Sequence, residues 1–174
     1  TQAIEIMGHD PAASQFVQSV FQKDNFMFLK FASQILHNPE VGINALKNCA
    51  TLISVVLTSS ALRPISIITQ NYYETMSDEE RNQFKMAIIR GLMVDDFSVI
   101  NSFAHCLALI IFLEFTHDHS LMRNQIFTTF LFELIDKSPT EYAPIGAISA
   151  ITEIFRVLPP FHLTTKNTAF LKEM

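Results

Sequence analysis

The stretch FAHCLALIIFLEF, residues 103–115, constrains this chain more than any other. Wound as a helix, it places Phe103, Ala104, Leu107, Ala108, Ile110, Ile111, Phe112 and Leu113 around most of its circumference. A helix apolar nearly all round must be covered on several sides at once. Three surroundings do that: a bilayer, the centre of a globule, or a position between stacked helical layers. A membrane span needs about 20 mostly apolar residues. The run at 103–113 is shorter, and Asp95, Asp96, Glu114 and Asp118 crowd both sides of it. The expectation is therefore no membrane insertion.

The punctuation around this stretch is helical. Asp10-Pro11 and Asn38-Pro39 read as N-caps with proline at the first helical position. Ser77-Asp78-Glu79-Glu80 reads as a capping box, and Asp95-Asp96 opens the next helix. Between these marks apolar residues recur every three or four positions. The stripes are Phe28/Phe31/Ala32/Ile35, Ile43/Leu46/Ala50/Ile53/Leu57, Phe84/Ile88, Phe127/Phe130/Leu131/Leu134 and Ile148/Ile151/Phe155/Leu158. The segments LISVVLT and ISIIT favour strand locally, but nothing alternates with period two. The reading is all-α, with helices near 10–22, 24–37, 39–58, 64–75, 77–93, 96–115, 120–137 and 141–157, and a ninth near 165–173. A bundle and a solenoid both fit such a succession. A helix as apolar all round as 103–115 favours the solenoid, although the helix starts are unevenly spaced.

Chemistry is sparse. A net charge of −5 with no basic run argues against nucleic acid and against an anionic membrane surface. Four isolated glycines build no phosphate loop. Cys49 and Cys106 lie in apolar helical sequence and read as buried thiols of a reducing compartment. The opening residues TQAIEIMGHD show no secretory signal pattern. His117-Asp118-His119 is the one compact ligand-like cluster, and a metal site needs three or four converging donors. The expectation is a polar loop there, with a small metallo-hydrolase as the rival reading. His105 and Cys106, adjacent on a helix, point about 100° apart and make no catalytic pair. The carboxylates at 78–80 and 95–96 are explained by capping. No catalytic, metal or cofactor residue is expected, and the chain reads as a non-enzyme.

Four segments, in order, carry a family likeness: KDNFMFLKFASQIL (23–36), INALKNCATLISVVLTSS (43–60), SDEERNQFKMAIIRGL (77–92) and FAHCLALIIFLEF (103–115). Asp24-Asn25-Phe26, Leu46-Lys47-Asn48, Arg81-Asn82-Gln83-Phe84-Lys85 and Glu114-Phe115 mark the matching points. Together they resemble the N-terminal HEAT repeats of the importin-β (karyopherin-β) nuclear transport receptors. Asn71-Tyr72-Tyr73 stands where that family usually carries Trp.

The resemblance implies a right-handed α-α superhelix, a HEAT-repeat solenoid of about four helix pairs in a single array over 1–174. Its repeats would be 10–37, 39–93, 96–137 and an incomplete 141–174. It implies a scaffold whose first repeats engage a Ran-type small GTPase in its GTP form. Cargo or adaptor proteins and nucleoporins would bind through a fuller chain, which shuttles between cytoplasm and nucleus. Carried over by position, the partner-binding residues are Lys23 and Lys30 of the first B-helix, Arg81, Asn82 and Lys85 of the second, and Lys47 and Asn48 of the Leu-Lys-Asn motif. Arg81, Asn82 and Lys85 are expected to be exposed, and Lys47 and Asn48 either to brace the turn or to reach the same face. The alternative is a general HEAT/ARM solenoid adaptor of another assembly. Self-association through a bared apolar end is a further expectation.

Overall fold

The computed structural model describes residues 2–7, 9–23, 25–61, 76–118 and 125–157. The expected helices at 64–75 and 165–173, the first residues of that at 120–137, and His119 lie outside the described residues. Among the described residues the chain is helical throughout, with one isolated bridge between Met7 and Asp10. The elements are α1 (Gln2–Glu5), α2 (Pro11–Lys23), α3 (Asn25–His37), α4 (Ile43–Ala61), α5 (Asp78–Arg90), a 3-10 turn (Gly91–Met93), α6 (Phe97–Asp118), α7 (Gln125–Asp136) and α8 (Ala143–Val157). The β-branched run in α4 is helical, because its apolar stripe meets a helical partner and, among the described residues, no strand offers a ladder.

The caps behave largely as the sequence dictates. Asp10 accepts a hydrogen bond from the Ala12 N–H at 2.8 Å, and Asp96 from the Val99 N–H at 3.0 Å. Ser77 and Glu80 form the reciprocal capping box of α5. Asn38 is different. Its side chain accepts from the Glu40 N–H at 3.0 Å, closing a turn, and α4 begins only at Ile43. Short α1 was not foreseen, since four residues carry no periodic signal. It is held by tertiary contact with α4 and α2.

α4 lies on α6 and α6 on α8; α3 lies on α5. Contacts of α2 with α3, α3 with α4, α5 with α6 and α7 with α8 tie neighbours in the chain together. The apolar segment 103–115 lies in α6, which packs on both α4 and α8. Val99, Ile100, Phe103, Ala104, every residue from Cys106 to Ile111, and Leu113 are buried. Each large side chain among them contributes roughly 1.5–3 kcal/mol of transfer free energy, so α6 anchors the core. By length and composition the window Phe97–Glu114 could cross a membrane, a longer apolar stretch than 103–113 alone. Here it packs against α4, α5, α8 and the 3-10 turn.

The stripes are corrected in three places. Phe31 and Ile43 stand exposed, while Phe28, Ala32, Ile35, Ala50, Ile53 and Leu57 of the expected stripes are buried, joined by Leu29, Ala45, Cys49 and Val56. The largest change is in α8. Its buried face is Ala143, Gly146, Ala147, Ala150 and Ile154, whereas Ile148 is 56% and Phe155 49% exposed. Small residues let α8 approach closely. A Cβ on Gly146 would collide with the Leu92 carbonyl oxygen and lie 2.8 Å from the Leu92 carbonyl carbon. Gly91 is similarly closed in by the Phe103 ring. Ile145, Ile148 and Phe155 of α8 are left on a second, exposed face, while Ile154 stays on the buried one.

Candidate interaction surfaces

The α3–α5 surface is built from the start of α5. The capping box turns Glu80 toward the chain, where Lys30 of α3 meets it at 2.8 Å. The Lys30 ammonium, with the Ser77 N–H and hydroxyl, holds the Glu80 carboxyl down at about 2. Arg81 pairs with Asp78 one turn back, and Gln83 donates to Glu79 at 3.4 Å. Asn82 is exposed. Thus the Lys30 and Arg81 cations are both already neutralised by carboxylates of α5, whereas Asn82, two residues on from Glu80, points about 200° away from it around the helix.

Lys85 is not on that surface. It is 5% exposed and ion-paired with Glu114 of α6 at 2.6 Å. The expectation of an exposed Lys85 is corrected: helical phase puts it between Ile88 and Ile89, which are buried, and Glu114 makes its burial tolerable. Asn48 is a brace. Its amide donates to the carbonyls of Ile4 at 2.7 Å and Met7 at 3.2 Å, fixing the N-terminal segment on α4. Lys47 next to it is exposed. Lys23 ends α2, and its side chain lies outside the described residues.

A second polar surface was invisible in the sequence. Where α4, α6 and α8 meet, an open cavity of about 340 Å³ is lined by Thr51, Ser54, Asn101, Ser102, His105, Glu153 and Arg156. His105 Nδ1 lies 3.1 Å from Glu153 Oε2, and Arg156 lies 3.1 Å from Glu153 Oε1. The i,i+3 spacing of Glu153 and Arg156 is readable in the chain. The approach of His105, 48 positions away, is not.

Cys49 and Cys106 are buried free thiols, and the Cys106 thiol donates to the Ala50 carbonyl at 3.2 Å. Burial pushes the Cys49 thiol up to about 12 and that of Cys106 higher still. Such thiols carry negligible thiolate at neutral pH. Among the described residues no three His, Cys, Asp or Glu side chains converge on a metal position. His117 and Asp118 fall in the last turn of α6 rather than in a loop, and their side chains lie outside the described residues.

No family model, no curated protein and no solved structure matches this chain.

Proposed function

We propose that this chain is a protein-binding α-solenoid scaffold of the importin-β type, acting in nucleocytoplasmic transport, with the α3–α5 surface as the face for a Ran-type GTPase in its GTP form. One observation carries the reading: the order of packing. α4, α6 and α8 follow one another in one row and α3 meets α5 in another, as alternate helices do when helix pairs are stacked. The second apolar face of α8 supports it, because Ile145, Ile148 and Phe155 form a stripe suited to a further layer or to a second molecule. In this reading the scaffold has no catalytic role and moves between cytoplasm and nucleus. Small adjustments between layers would let a gripped partner shift the array between conformations.

The test is binding of the whole chain to immobilised Ran loaded with GTP or GDP. Binding selective for the GTP form, weakened by Lys30→Glu with Arg81→Glu, is the expected result. Equal or absent binding in both states removes the GTPase from the reading.

A second reading has its own support. Lys30, Arg81 and Lys85 are each paired within the chain, which leaves fewer cations to meet a GTPase. That favours a general solenoid adaptor whose partner recognises another surface. Affinity capture that recovers one stoichiometric partner other than a small GTPase would favour it.

A further inference from the structure

We propose that the cleft where α4, α6 and α8 meet is a binding site for a cationic side chain, lysine or arginine, presented by a protein partner. The inference does not depend on the transport reading and concerns a different surface.

Hydrogen-bond accounting leads to it. Three hydroxyls line the cleft, and each hydrogen is committed inside its own helix. Thr51 donates to the Lys47 carbonyl at 3.0 Å, Ser54 to that of Thr51 at 2.8 Å, and Ser102 to that of Ser98 at 2.8 Å. Toward the cleft these oxygens offer lone pairs only. The Asn101 amide lines the same wall and adds a carbonyl oxygen beside its own donors. Glu153 brings a formal charge, and its carboxylate retains acceptor capacity beyond His105 and Arg156. The wall is thus rich in acceptors around one carboxylate, the complement of an ammonium or guanidinium. A net charge of −5 draws a cationic partner toward the chain in the same sense.

The resident arginine shows what the carboxylate accepts. Glu153 is only 18% exposed, whereas Arg156 is 72% exposed and reaches it from the rim. Exposed ion pairs of this kind are weak and readily exchanged. An incoming cation can therefore take the Arg156 position on Glu153 while the hydroxyl oxygens and Asn101 receive its remaining N–H groups. At about 340 Å³ the cleft is at the small end of ligand sites, suited to one side chain rather than a whole cofactor.

The experiment titrates the isotopically labelled full chain with three blocked tripeptides, glycine flanking arginine, lysine or glutamate, and follows backbone amides by NMR. The arginine and lysine peptides are expected to shift Asn101, Ser102, His105 and Glu153, with the effect reduced by added salt. Glu153→Gln is expected to weaken the arginine peptide about tenfold, the scale of one charge-assisted hydrogen bond. Arg156→Ala removes the internal competitor, lies on the exposed rim, and is expected to tighten binding several-fold. No shifts with either cationic peptide, an equal response to the glutamate peptide, or weaker binding in Arg156→Ala would each overturn the proposal.

Discussion

Replacing Gly146 by alanine sets two effects of opposite sign against each other. By helix propensity alone the change stabilises α8 by about 1 kcal/mol. The structure predicts the reverse. The new Cβ would lie 2.8 Å from the carbonyl carbon and from the Cβ of Leu92, where carbon atoms ordinarily sit about 3.5–4.0 Å apart. Its worst contact is a backbone carbonyl, which cannot swing aside as a side-chain end can. Relief requires α8 to move off the 3-10 turn by roughly 1 Å, a gap that forfeits a quarter to a half of each affected dispersion contact. Overpacking of this type costs about 1–3 kcal/mol, and the upper end applies because Ala143, Ala147, Ala150 and Ile154 lie along the same seam. The expected net loss is about 2 kcal/mol, or roughly 4–8 °C in Tm for a chain of this size. Urea and thermal unfolding followed by far-UV circular dichroism would read it. Gly42→Ala is the control, since its close neighbour is the flexible end of Glu5, and it should change stability little. A Gly146→Ala protein as stable as the parent, or more so, would refute the close approach of α8 to the Leu92 carbonyl.

The buried Lys85–Glu114 pair predicts a non-additive series: Glu114→Leu or Lys85→Met alone should cost about 3–5 kcal/mol by leaving its partner charged and buried, and the double variant, with both residues apolar, should recover much of that in denaturant titrations. Glu80 titrates at about 2 against an ordinary 4.5, so its contribution is fully present above 4.5 and lost as pH falls toward 2. In Lys30→Ala the midpoint of the Glu80 carboxyl, followed by carbon-detected NMR, should rise toward 4.5, and an unchanged midpoint would contradict the bridge between α3 and α5. Neither Cys49 nor Cys106 should react with an aromatic disulfide reagent at pH 8 until the protein is unfolded in urea; prompt native reaction would contradict their burial. Ile148→Ser should shift stability by no more than about 0.5 kcal/mol, because that side chain is exposed, whereas Ile154→Ala should cost about 2–5 kcal/mol.

Amino-acid order alone determined the helical class, most helix boundaries and the burial of α6. Those properties come from interactions within a few residues: Ser77 with Glu80, Asp96 with the Val99 amide, and apolar side chains too numerous around one helix to leave it uncovered. The tertiary structure decided which faces meet. In α8 periodicity favoured the bulky stripe at Ile148 and Phe155, yet Gly146, Ala147 and Ala150 form the contact, because close approach to α6 and the Leu92 carbonyl admits only small residues. Lys85 reads as a surface cation until Glu114 of another helix is brought beside it, and Asn48 as a partner contact until the Ile4 and Met7 carbonyls arrive. The cleft around Glu153 depends on three helices far apart in the chain. Short-range order leaves a local signature in a sequence; a pairing such as His105 with Glu153 exists only once packing has chosen the distance between them.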